Sequence, residues 1–247
     1  MRFKEKIVFI TGGLSGIGLS AAKDFMSEGA YVILNSRTKA KYEILKPTLI
    51  SISNSFEFIE GDMSKKEDVD KTFEYIKDKF GKIDIVVNSA GISQNRKYNE
   101  ISLEDWYHTI DNNITNTFLV CVKAIELMKV KKYGKIINVS SIAGRNRSKL
   151  AGLHYSMSKS AVITLTKQLA AEVASIGINV NCLAPSQTNT EMLKPFLTPE
   201  NKKMLSETIP LGRVAEPEEQ AKVILFLASE ESSYMVGSIV DVNGGQI

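Results

Sequence analysis

The strongest constraint on this chain is an alternation along its length. Short runs rich in β-branched and other apolar residues recur at Lys6–Thr11, Tyr31–Asn35, Phe56–Glu60, Asp84–Asn88, Lys135–Ser140, Asn179–Ala184 and Ile239–Asn243. Most are apolar on consecutive positions, as strands covered on both faces must be. Between them lie stretches with apolar residues at helical spacing: Leu19–Met26, Val69–Phe80, Trp106–Met128, Ala161–Ile176 and Gln220–Leu227. Such alternation predicts an α/β fold, a Rossmann-like doubly wound parallel sheet of about seven strands with helices on both faces.

The chain has 247 residues, with 6 prolines and 16 glycines scattered through it and no repeat or linker to divide it. A single domain over residues 1–247 is the simplest expectation. Regular alternation fails only between Pro185 and Pro217, where five prolines interrupt two short helical patterns. This segment follows the carboxyl end of a strand, where open α/β sheets bind ligands, so it is a candidate substrate lid.

Lys and Arg number 31 against 28 Asp and Glu, a net charge of +3. That bias is too slight to argue for nucleic acid or another polyanion. Cys121 and Cys182 match no disulfide or zinc spacing, and neither His108 nor His154 has a ligand partner at metal spacing, so no metal is expected. The amino-terminal MRFKEKIVFITGG lacks the form of a signal peptide, and no apolar run approaches the ~18 residues of a membrane span. A cytoplasmic protein without a membrane partner is the expectation.

The first strand runs directly into Thr11-Gly12-Gly13-Leu14-Ser15-Gly16-Ile17-Gly18, and a helical pattern starts at Leu19. Glycines there let the backbone approach a pyrophosphate, while a helix amino terminus offers free N–H donors and a positive dipole end. Much further on, Tyr155 and Lys159 stand four apart in a helical segment, so both side chains share a face. Bringing a tyrosine into acid–base play near neutrality requires about 4 kcal/mol of preferential phenolate stabilisation, which a nearby ammonium can help supply.

The TGxxxGxG spacing resembles that of the short-chain dehydrogenases/reductases. Three further motifs match in order: Asn88-Ser89-Ala90-Gly91 against the family's NNAG, Tyr155-Ser156-Met157-Ser158-Lys159 against its YxxxK, and Asn243-Gly244-Gly245 against its terminal glycine pair. The resemblance implies a catalytic set of Asn113, Ser141, Tyr155 and Lys159. Ser140 and Asn112 are the neighbouring alternatives; the IAG after Ser141, and Trp106 and Phe118 around Asn113, favour the first choices. It also implies a nucleotide site at Gly12, Ser15, Gly16, Ile17, Gly18, Ser36, Arg37, Asp62, Met63, Asn88, Ala90, Gly91, Tyr155 and Lys159, completed by Pro185, Thr188 and Thr190. Ser186 replaces the glycine customary after Pro185, which bears on the turn beside the nicotinamide.

NAD-specific members carry a carboxylate where this chain has Ser36, and Arg37 follows. A guanidinium can hold a 2′-phosphate by two charge-assisted bonds, so NADP(H) is the expected cofactor, with NAD(H) still open. Ser15 stands where many NADP-preferring relatives have a basic residue. The implied reaction is NADPH-dependent reduction of a ketone to a secondary alcohol, most similar to that of 3-oxoacyl-(acyl-carrier-protein) reductases. Lys129, Lys131, Lys132 and Lys135 form a basic run at a helix end that complements its dipole, and its Lys129–Lys132 part could dock an acidic carrier protein. Ala171 and Ile176 stand where many carrier-binding members have arginines. A sugar or polyol dehydrogenase, suggested by polar Ser186–Asn189 and Arg145–Ser148, is the alternative, and a non-catalytic nucleotide-binding protein a second. The resemblance further implies a homotetramer, or a dimer, built on the Trp106–Met128 and Tyr155–Ile176 helices.

Overall fold

The computed structural model describes residues 1–148 and 150–246. Its seven strands are β1 (Ile7–Thr11), β2 (Tyr31–Ser36), β3 (Phe56–Glu60), β4 (Ile85–Asn88), β5 (Gly134–Val139), β6 (Ile178–Pro185) and β7 (Ile239–Val242). They form one sheet in the order β3-β2-β1-β4-β5-β6-β7, and every neighbouring pair is parallel. The expected strands are all present, with ends moved by a residue or so. Chain order reverses between β1 and β4, which opens a crevice at the carboxyl ends of those strands.

Side-chain alternation along buried strands builds a core on each face. Val8 and Ile10 of β1 pack on one side with α1 (Gly16–Ser27) and α8 (Pro217–Ala228). Ile7 and Phe9 pack on the other with α3 (Lys66–Phe80), α5 (Asn116–Lys131) and α6 (Leu153–Val173). The helix α2 (Lys39–Ile52) was not expected from the sequence pattern: it contains Pro47, and Leu49 is its one buried residue, so its apolar stripe is weak. The expected Trp106–Met128 helix is interrupted. It divides into α4 (Leu103–Ile110), a π-helical turn at Asp111–Thr115, and α5.

After β6, the segment expected to be a lid carries a 3-10 turn at Lys194–Phe196 and α7 (Pro199–Thr208), and returns along an isolated bridge between Thr188 and Ala215. No described helix is long and apolar enough to cross a membrane. Among the described residues, no group of three or more His, Cys, Asp or Glu could hold a metal ion.

Candidate active site

A cleft of about 340 Å³ lies over the carboxyl ends of the central strands. One end is the glycine turn. Gly12 has φ +65°, and a Cβ there would lie 3.0 Å from the backbone of Ala90, so the β1 and β4 turns touch through the missing side chain. Gly16 opens α1 at φ +50°. Ser15 occupies the N-cap without a capping side-chain bond, and the first turn holds no acid. The amino terminus of α1 thus faces the cleft with free N–H donors and an uncompensated positive dipole end, which fits a dinucleotide's pyrophosphate.

Ser36, Arg37, Asp62 and Met63 line the next part of the cleft. Arg37 Nη1 donates to Asn112 Oδ1 at 3.0 Å, bridging from the end of β2 to the π-helical turn. Burial alone would raise the Asp62 carboxyl; bonds from Ser64 Oγ and N (2.8 and 3.0 Å), with Arg37 nearby, bring it below its ordinary value instead. With Ser36 rather than a carboxylate preceding Arg37, this end can accept either a ribose hydroxyl or a phosphate.

The reactive end is assembled from β5, the loop after it and α6. Ser140 is already occupied: its Oγ donates to Lys159 O at 2.7 Å. Ser141 Oγ accepts from Ala143 N at 3.1 Å and faces the Tyr155 phenol, lowering its pKa against a larger opposing effect of burial. The net result is a phenol above its ordinary value. Lys159 Nζ donates to Val139 O at 3.0 Å, and burial pushes the ammonium down to about 8. Lys159 and Tyr155 also share the α6 face expected from their spacing, the ammonium lying 5.8 Å from the ring centre.

Asn113 is fully buried in the π-helical turn, one layer behind the cleft wall. Its Oδ1 accepts from Ile92 N at 2.8 Å, and its Nδ2 donates to Ile92 O and Ser158 Oγ. A Cβ on Gly91 would sit 3.0 Å from Asn113 Oδ1 and 3.2 Å from Lys159 Nζ, so glycine alone lets these two groups converge. Asn112, by contrast, faces Arg37.

Two residues expected at the cofactor are behind the cleft rather than in it. Gly18 packs beneath the turn, where a Cβ would fall 2.5 Å from Gly12 O. Asn88 points into the core and donates to Asn138 Oδ1 at 2.8 Å and Cys121 Sγ at 3.3 Å, because β4 alternation turns it away from solvent. Pro185, Thr188 and Thr190 do line the cleft, as do Ile17, Ala90 and Gly91. Ser186 has no positive φ, so the customary glycine is not needed for this turn. Sequence reading missed Asn116 and Glu191 in the lining and weighed Asn112 only as the alternative to Asn113, since only a spatial contact could have revealed them there. Glu191 reaches across to Lys41 on α2 at 2.5 Å, strapping the lid over the glycine turn. His154, also buried, lies with Nε2 3.1 Å from Gln94 Oε1 and has its pKa lowered by burial.

Comparison with known proteins agrees with this geometry. A family model described as enoyl-(acyl carrier protein) reductase matches residues 12–246. The 3-oxoacyl-(acyl-carrier-protein) reductase of Aquifex aeolicus is 36% identical over 99% of this chain and 98% of its own length. That of Chlamydia pneumoniae is 38% identical over 97% of this chain and 96% of its own. The crystal structure of a 3-oxoacyl-(acyl-carrier protein) reductase from Brucella melitensis superposes with a TM-score of 0.92 at 33% identity, covering all of this chain and 93% of that one. The chain belongs to the short-chain dehydrogenase/reductase family and is an oxidoreductase that uses NAD(P)(H) on secondary alcohols and ketones.

Proposed function

We propose that the chain reduces the ketone of a 3-oxoacyl thioester, carried by acyl carrier protein, with NADPH. The observation that supports this most is the convergence of Ser141 and Tyr155 hydroxyls on the cleft with Lys159 behind them. When bound, the reduced nicotinamide supplies a hydride to the carbonyl carbon. Ser141 Oγ holds the carbonyl oxygen by a hydrogen bond, and Tyr155 Oη gives that oxygen its proton. Burial keeps the phenol protonated, which suits the donor role in reduction. Lys159 Nζ returns a proton toward the phenolate and binds the nicotinamide ribose, while Asn113 fixes the backbone around it through Ile92.

The test follows loss of reduced-nicotinamide absorbance with an acetoacetyl thioester and each coenzyme. Turnover is expected with NADPH, and Tyr155→Phe is expected to abolish it while retaining nucleotide binding; full activity in Tyr155→Phe would refute the assignment. The NADPH preference rests on Ser36 and Arg37, and Ser36→Asp with Arg37→Ala should reverse it. Binding of nucleotide without turnover of any ketone would favour a non-catalytic role. Carrier docking draws on Lys129, Lys131 and Lys132, at the carboxyl end of α5.

A further inference from the structure

His154 stands directly before Tyr155 on α6, fully buried, and takes no part in the proton and hydride steps proposed above. Its Nε2 lies 3.1 Å from Gln94 Oε1, while Nδ1 is buried with no hydrogen-bond partner among the described residues. Burial lowers its pKa, and its charged neighbours act in opposite senses: Asp105 raises it, and Arg96, paired with Asp105 at 3.2 Å, lowers it. The ring is therefore neutral near pH 7 and carries one proton. Assigning that proton to Nε2 gives it an acceptor in Gln94 Oε1 and leaves only a lone pair of Nδ1 unpartnered. A leucine would fill this space without the cost of burying an imidazole, so what histidine adds here is the bond to Gln94.

Gln94 is held a second time by the start of α6. Its backbone O accepts from Gly152 N at 3.2 Å, and a Cβ on Gly152 would fall 2.7 Å from that oxygen and 2.8 Å from the His154 ring. Glycine at the N-cap of α6 thus lets the segment after β4 lie directly on the helix terminus. Two residues earlier, Asn113 holds the same segment from the other side through Ile92 N and O. Ile92 and Ser93 line the cleft, with Ser93 between the two anchors. Through His154 and Gln94, this wall of the cleft is tied to the helical turn that carries the phenol.

We propose that His154 is a positioning residue for ketone reduction: its bond to Gln94 fixes the Ile92–Ser93 wall against the first turn of α6, so that the substrate carbonyl is held at the Tyr155 phenol. The proposal rests on the reading of Tyr155 as the proton donor. A wall that shifts relative to the phenol leaves the coenzyme bound but misplaces the ketone, and a small misplacement is expensive in rate.

The experiment measures reduction of an acetoacetyl N-acetylcysteamine thioester at saturating NADPH, with NADPH binding titrated separately. His154→Leu should lower kcat about tenfold and change the Kd for NADPH less than about twofold. His154→Gln, which offers an amide N–H near the place of Nε2, should recover kcat to within about threefold of the native value. Gln94→Leu should match His154→Leu, and the double variant should lose no more than either single one. Undiminished kcat in His154→Leu, no recovery in His154→Gln, or losses that multiply in the double variant overturn the positioning role. A native chain that reduces no thioester overturns the thioester reading instead, and amide hydrogen exchange over residues 91–94 then decides for His154. Exchange that is faster in His154→Leu and restored in His154→Gln supports the tie, and unchanged exchange overturns it.

Discussion

Lys159 carries the clearest pH signature. Its ammonium is pushed down to about 8 by burial, from an ordinary 10.5. In the proposed reaction a proton is delivered through this residue, so the reduction rate should fall as pH rises through about 8, and a pH–rate profile in the reductive direction checks it. The same shift acts on stability with a definite sign. Between about 8 and 10.5 the unfolded lysine holds a proton that the folded one has released, so its contribution to stability increases with pH across that interval. Denaturant midpoints across this range should rise in the native chain more than in Lys159→Met. The cysteines make a second prediction: burial pushes Cys121 up to about 12 and Cys182 up to about 11, so neither should react with iodoacetamide until the chain unfolds. Mass spectrometry of alkylated native and denatured protein reads this directly. Choosing Ser141 over Ser140 and Asn113 over Asn112 needed motif offsets in the sequence; in the structure Ser140 Oγ donates to Lys159 O and Asn112 Oδ1 accepts from Arg37. The Arg37–Asn112 contact, with partners 75 residues apart, left no trace in the pattern.

Among the elements, the β1–α1 turn is the most constrained. Backbone atoms, which cannot swing aside, surround Gly12 and Gly18, and a Cβ at Gly18 would lie 2.5 Å from Gly12 O. Gly18→Ala should therefore cost about 1–3 kcal/mol of stability and weaken nucleotide binding by displacing the donors of α1. Thermal unfolding and a nucleotide titration check both effects; unchanged binding would remove the turn from the cofactor site. Strands were legible because most are apolar on consecutive residues, a pattern few other buried elements share. Helix α2 was not, since Pro47 interrupts it and little of it is buried. The π-helical turn carrying Asn113 was equally silent, because one extra residue in a turn leaves the apolar spacing on either side intact.

At the scale of the whole molecule, α4, α5 and α6 present apolar side chains outward: Leu103 is 73% exposed, Tyr107 60%, and Phe118 and Met157 47% each. These elements flank the turn with Asn113 and include the helix with Tyr155 and Lys159. Self-association through this face would bury the apolar groups and restrain the catalytic turn in one step. The expected outcome is a tetramer or dimer in solution, measured by light scattering. Phe118→Glu with Tyr107→Glu should lower the assembly state, and kcat should fall with it although neither residue lines the cleft. Dissociation without loss of kcat would mean that Asn113 and Lys159 are held by their own bonds, Asn113 to Ile92 and Ser158 and Lys159 to Val139 O, and that assembly serves stability alone.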